Sequence, residues 1–248
     1  MEWVQEFYKE QYRITEGMAD AITKFDEALV DKVESTAGVN RQLKILELGG
    51  GLGLFAVAAA KRGHDVTVIE LVPSAVEKIH KLATVHDVEE KMKIIQGDFY
   101  EIDLPNDFDV VCYWDGFGVG SDDDQKLLLQ RIDNWLLPSG VALIDVYTPW
   151  YWAKISGREM KIDEDSYRRY GFDPEGCRML DTWWATDYPK VTQSLRCYSP
   201  ADLTMLLSGT SLFLHSIKPG GEMDYDKWIF TENVPLERAM TFLAVLKK

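Results

Sequence analysis

The sequence predicts an α/β fold, doubly wound about a mostly parallel sheet, and three observations carry that reading. A short apolar strand, Lys44 to Leu48, runs into a loop with glycine at 49, 50, 51 and 53, and an Ala-rich helical run follows. Between residues 44 and 147 strand and helix patterns alternate, as parallel βαβ units require. The strands are near-continuous apolar runs, which fits a sheet covered on both faces.

The first forty residues read as helical. Phe7, Tyr8 and Tyr12 share one face, and a second run from Ala19 to Val33 places Ile22, Phe25, Leu29, Val30 and Val33 on a stripe. Strands follow at 44–48, 65–70, 92–97, 108–114 and 140–147. Gly63 stops the helix that runs from Leu54 to Arg62. Pro73-Ser74 opens a helix bearing Val76, Ile79 and Ala83. Ser121 with Asp122, Asp123 and Asp124 is an N-cap and acidic first turn, ahead of Leu128, Ile132, Trp135 and Leu136 at helical spacing. Capping explains the Asp triplet more simply than a metal site does. Leu137-Pro138-Ser139-Gly140 reads as a turn into the next strand. After Tyr147 the alternation stops. It resumes at Ser199-Pro200-Ala201-Asp202, a capping box with Pro at the first helical position, and strands are expected at 212–218 and 240–246.

Composition narrows the function. The chain has 248 residues, 46% of them apolar, enough for one large α/β domain with an inserted cover. No apolar run is long enough for a membrane span, and no secretory signal opens the chain. Cys112, Cys177 and Cys197 are scattered and form neither a metal spacing nor a disulfide framework, so the cytoplasm is the expected setting. The net charge of −14 argues against nucleic acid as a partner, since phosphate binding draws on clustered Lys and Arg. Residues 150–198 are neutral, with eight basic and eight acidic side chains, so the whole negative excess lies elsewhere. That segment also holds Trp150, Trp152, Trp183 and Trp184, four of the eight tryptophans, which suits a second small core, a pocket for a flat or cationic substrate, or both.

The spacing of the glycine loop selects among ligands. A dinucleotide fingerprint starting at Gly49 would need glycine where Leu54 stands, and a P-loop would need Gly-Lys-Ser/Thr. The pattern present is Glu47-x-Gly49-x-Gly51-x-Gly53. Nineteen positions after Gly51, the second strand ends on Glu70, placed to accept hydrogen bonds from ribose hydroxyls.

This pattern resembles the first motif of the class I S-adenosylmethionine-dependent methyltransferases. The resemblance covers 44–148 by motif and 199–247 by layout, and it implies a seven-stranded, Rossmann-like sheet with the last strand antiparallel. It implies three parts: N-terminal helices over the cofactor site (1–40), the methyltransferase domain (41–148 and 199–248), and an inserted substrate-binding cover (149–198). Its cofactor is S-adenosyl-L-methionine. By the same resemblance Glu47, Gly49, Gly51 and Gly53 hold the methionyl part, and Glu70 with Leu71 the ribose. Asp98 takes the adenine amino group, Phe99 packs on the ring, and Trp114 and Asp115 approach the sulfonium region. The metal-dependent O-methyltransferases also keep an Asp near Asp115, but their downstream Asp-Asn pair is not visible, so no metal is carried over.

The implied reaction is in-line transfer of methyl to a small-molecule acceptor, with aromatic or amine-bearing metabolites favoured over RNA, DNA or protein. A base is needed only where the nucleophile enters protonated. Tyr12, Asp115, Tyr147, Tyr151 and His215 are the candidates, while His64, His80 and His86 read as structural. Two alternatives remain: an NAD-dependent oxidoreductase, and a non-catalytic module that binds the cofactor without turnover.

Overall fold

The computed structural model describes residues 2–14, 24–38 and 41–248. Helices α1 (Glu2–Ile14) and α2 (Lys24–Ala37) precede a βα alternation. This comprises β1 (Lys44–Leu48), α3 (Leu54–Lys61), β2 (Asp65–Glu70), α4 (Pro73–Val85), β3 (Met92–Gln96), β4 (Phe108–Phe117), α5 (Asp122–Trp135) and β5 (Leu136–Tyr147). Much farther along the chain come α7 (Pro200–Leu206), β10 (Phe213–Pro219) and β13 (Thr241–Lys247). Seven of these strands form one sheet in the order β10-β13-β5-β4-β1-β2-β3. β13 runs antiparallel to both of its neighbours, and the other pairs are parallel.

Burial on both faces explains the apolar strands. On one face Leu46, Leu48, Val111, Ala142 and Ile144 pack under α5 and α7. On the other, Ile45, Val68, Val110 and Leu143 pack under α2, α3 and α4. Capping signals act as the sequence predicts. Ser121 and Asp124 close a reciprocal capping box at α5, as Ser199 and Asp202 do at α7. Asp124 is therefore a cap, bonded to both the main chain and side chain of Ser121.

Several expectations change. The stretch 137–140 is not a separate turn but lies inside β5, whose register shifts between the pairs Phe108↔Leu136 and Val110↔Val141. β4 continues past Trp114 to Phe117 because residues 114–116 loop out between the pairs Tyr113↔Ile144 and Phe117↔Val146. The second N-terminal helix is described from Lys24, and the expected start at Ala19, with Ile22, lies outside the described residues.

The segment after β5 has order that its sequence hides. It forms α6 (Pro149–Lys154) and then β6 (Glu159–Lys161), β7 (Ser166–Asp173), β8 (Arg178–Ala185) and β9 (Tyr188–Arg196), an antiparallel four-stranded sheet. Alternation is obscured because Arg168, Asp181 and Gln193 share a face with Trp183 and turn toward the rest of the molecule. A hairpin, β11 (Glu222–Asp224) with β12 (Ile229–Thr231), also had no sequence expectation.

The four-stranded sheet joins the main one where the chain leaves β4. Val119 forms a bridge to Leu195, and Arg196 donates its main-chain N–H to Gly118 O at 2.9 Å. Gly118 has φ +111°, and a Cβ there would lie 2.2 Å from Arg196 O, so only glycine permits the approach. Arg178 adds hydrogen bonds to the carbonyls of Gly118 and Gly120. Phe7 and Ile14 on α1 pack on Trp183 of β8, which fastens the first helix to the same sheet.

Candidate active site

Parallel strands deliver their carboxyl ends to one edge of a sheet, where open α/β folds bind ligands. Here that edge and α1 enclose a cavity of about 360 Å³, a size suited to a small ligand. Its lining includes Glu47 and the loop glycines from β1, Glu70 and Leu71 from β2, Asp98 and Phe99 after β3, and Trp114 and Asp115 from β4. Nine of the ten residues expected at a cofactor thus line one cavity. The tenth, Gly53, packs against Ile79 of α4 instead.

The glycine loop is wound tightly on itself. Gly50 donates to Ile69 O at 3.1 Å, Gly53 to Gly50 O at 2.8 Å, and Gly51 to Glu70 Oε2 at 2.8 Å. A Cβ on Gly50 would lie 2.1 Å from Val68 Cγ2, so the loop can rest on β2 only without a side chain there. Glu70 is fixed further by Val72 N–H, which donates to Oε1 at 2.8 Å. Burial raises its carboxyl pKa, against the pull of these backbone donors. Asp98 Oδ1 accepts from Tyr100 N–H at 2.9 Å. Glu47 differs. It is 3% exposed, and its Oε2 has no hydrogen-bond partner among the described residues. Burial first, then Glu70 and Asp26, pushes its carboxyl well above the usual range, and the N–H of Ala56 opposes them.

At the other end of the cavity, the looped-out segment of β4 presents Asp115, in a left-handed conformation with φ +50°. Asp visits this region more readily than most residues, so the segment can turn here without a glycine. Asp115 Oδ1 accepts the hydroxyl proton of Tyr147. Burial and then Asp115 hold the Tyr147 phenol protonated, its pKa well above the usual value. Val4, Tyr8 and Val119 line the cavity with it. Behind α1, Gln193 donates to the Tyr8 hydroxyl, and Arg168 grips Asp181 through two hydrogen bonds of 2.8 and 2.6 Å.

Of the five candidate bases, Tyr12 and Asp115 line the cavity and Tyr147 touches it through Asp115. Two lie elsewhere. Tyr151 is buried and donates its hydroxyl to Met223 O in the β11 hairpin. His215 stands exposed on β10, an edge strand, with its ring against Phe213.

Sequence reading did not single out Val4, Gln11 and Asp26 as lining residues. Asp26 carries a usable signal, because it falls three and four positions before Leu29 and Val30, on the apolar stripe of α2. The charge balance also becomes visible only in three dimensions. Five carboxylates line the cavity (Asp26, Glu47, Glu70, Asp98 and Asp115), and none of the described lining residues is Lys, Arg or His.

Comparisons with known proteins agree with this geometry. The family profile described as "Methyltransferase domain" matches residues 45–140. The "Probable ribosomal RNA small subunit methyltransferase A" of Methanosarcina mazei is 30% identical over 121 residues, 49% of this chain and 43% of that protein. The "Cypemycin N-terminal methyltransferase" of a Streptomyces species is 28% identical over 115 residues, 46% of this chain and 45% of that one. The chain therefore spans under half the length of these curated relatives. Among solved structures, the CcbJ methyltransferase from Streptomyces caelestis superposes with a TM-score of 0.75 at 17% identity, covering 97% of both chains. Residues 45–140 thus match a methyltransferase-domain profile, and the chain as a whole shares its fold with a solved methyltransferase.

Proposed function

We propose that this protein moves a methyl group from S-adenosylmethionine to a small-molecule acceptor, an amine-bearing or aromatic metabolite. One observation carries the reading: a cavity lined by five carboxylates, with no basic side chain among its described lining residues. Such a site favours a guest bearing positive charge. It also disfavours NAD, because three loop amides that could cradle a pyrophosphate are already bonded within the protein. The unpartnered Oε2 of Glu47 and the adjoining glycines suit the amino-acid end of the S-adenosyl cofactor. The second lone pairs of the Glu70 oxygens can accept ribose hydroxyls, and Asp98 with Phe99 suits the adenine.

When bound, the cofactor supplies a methyl on a sulfonium, whose sulfur keeps the electron pair of the broken C–S bond. This chain supplies position and field. An amine acceptor arrives mostly as its ammonium form, which Asp115 attracts, and it must lose a proton before its lone pair can form the new N–C bond. Asp115, held by Tyr147, can take that proton. The Streptomyces relative's name, an N-terminal methyltransferase, is in keeping with an amine acceptor.

RNA is the second reading, favoured by the name of the Methanosarcina relative. The net charge of −14 and a cavity without described basic lining weigh against a polyphosphate acceptor. Among the described residues no helix is long and apolar enough to cross a membrane, and the three cysteines are free, in keeping with a cytoplasmic setting.

Incubation with methyl-labelled cofactor and fractionated cell extract tests both readings. Label should enter the low-molecular-weight fraction. Label confined to RNA would overturn the small-molecule reading, and cofactor binding without transfer to any fraction would favour a non-catalytic module.

A further inference from the structure

Helix α5 carries a polar side chain on its apolar face. Gln125 stands one turn before Leu128 and Leu129, and it is only 1% exposed. A buried amide needs partners at both ends. Gln125 Oε1 accepts from Gly118 N–H at 3.0 Å, while Nε2 donates to Val119 O and, at 3.5 Å, to the Tyr100 hydroxyl. Gly118 meets the amide with an N–H and Val119 with a carbonyl, so it can sit only this way round. Neither a carboxylate nor an apolar side chain offers the same pair of groups.

These partners belong to the two ends of the cavity. Tyr100 lines it beside Asp98 and Phe99, and Val119 lines it in the segment that follows Asp115. The four-stranded sheet already holds that segment by its carbonyls. Arg178 donates to Gly118 O and Gly120 O, and the Arg196 N–H donates to Gly118 O. Gln125 takes the Gly118 N–H and the Val119 carbonyl instead, and adds the tie to Tyr100. It is not among the described lining residues, so it acts through the segment it holds.

We propose that Gln125 is a positioning residue for methyl transfer, fixing the 115–119 segment against the adenine side of the cavity so that Asp115 and Val119 meet the acceptor at a set distance from the methyl donor. The inference rests on the methyl-transfer reading above. In-line transfer depends steeply on such distances.

Gln125→Glu tests this, because the two side chains share one shape and only the protonated acid can donate to Val119 O while accepting from Gly118 N–H. Around the position stand Asp122 and Asp124 on α5, Tyr100 and Asp98 after β3, Tyr198 beside Asp122, and Arg178 and Arg196 on the four-stranded sheet. Burial and the acids favour the protonated form, and the arginines oppose them. Wild-type protein, Gln125→Glu and Gln125→Leu are compared from about pH 8 to about pH 5.5, by calorimetry with S-adenosylhomocysteine and by label transfer to the low-molecular-weight extract fraction. At about pH 8 both variants should bind S-adenosylhomocysteine within about threefold of wild type, yet transfer label about tenfold more slowly at saturating cofactor, as loss of a buried hydrogen bond implies. Relative to wild type at the same pH, Gln125→Glu should recover most of its rate as the pH falls, and Gln125→Leu none.

Unchanged turnover in either variant, equal losses of binding and turnover, or a Gln125→Glu rate that acid does not restore overturns the positioning role. Should the buried charge unfold Gln125→Glu at high pH, Gln125→Leu decides by the same split between binding and turnover. Unfolding of both variants would mark Gln125 as structural and overturn the role too. Wild-type protein that binds S-adenosylhomocysteine but transfers no label would instead overturn the methyl-transfer reading, and the positioning role with it.

Discussion

The floor and the roof of the cavity are held in place by different means. On the floor, strand ends carry the carboxylates that line the cavity, and main-chain N–H groups fix two of them: Gly51 and Val72 on Glu70, Tyr100 on Asp98. The roof is α1, backed by the four-stranded sheet, and side chains hold it: Gln193 on Tyr8, Arg168 on Asp181, Phe7 and Ile14 on Trp183. A floor built from backbone tolerates side-chain change except where a glycine admits the chain. A roof built from side-chain pairs can be loosened one residue at a time.

The largest effect should come from the roof. Asp181 is 1% exposed and neutralises Arg168, whose guanidinium lies over the rings of Tyr170 and Trp183. Asp181→Ala should cost about 3 kcal/mol in a denaturant titration, because it strands a largely buried cation. Replacing both partners, Arg168→Met with Asp181→Leu, should recover most of that. A loss in the double variant as large as in the single one would contradict the ion-pair account.

Next in size is a break in the floor. Gly50→Ala should destabilise the protein by about 1–3 kcal/mol through overpacking against Val68, and should abolish detectable cofactor binding. Unchanged affinity would show that the loop does not need its seat on β2.

A smaller effect should appear as a slope. Burial, with Asp115 adding and Lys32 opposing, pushes the Asp145 carboxyl up to about 7. The folded state then binds a proton that the unfolded chain gives up at lower pH, so stability should fall as pH rises from about 4 to 7. Asp145→Asn should flatten that part of a plot of melting temperature against pH. The smallest effect belongs to the joint between roof and floor. Tyr147→Phe removes one hydrogen bond to Asp115 and should cost about 0.5–1.5 kcal/mol of stability. Its turnover should also fall, because Asp115 loses the hydroxyl that orients it.

The same contrast explains what the sequence makes legible. Backbone-built features leave local marks: glycine spacing, a carboxylate at the end of an apolar run, a Ser three residues before an Asp. Glu47, Glu70, Asp98 and Asp115 are readable for that reason, and all four line the cavity. The roof leaves few marks. Arg168 and Asp181 lie on different strands and meet only through sheet register, and their inward polarity disguises the strands that carry them. His215 misled because a titratable ring in a strand says nothing about which edge of the sheet that strand occupies. Tyr151 misled because a nearby aromatic cluster looks the same in sequence whether it lines a pocket or fills a core.

The central claim is that this acid-lined crevice receives a positively charged adenosyl guest, and direct titration tests it. Calorimetry near neutral pH should give a dissociation constant of order micromolar for S-adenosylmethionine and no heat with NADH. Heat with NADH, or silence with S-adenosylmethionine, would contradict the account.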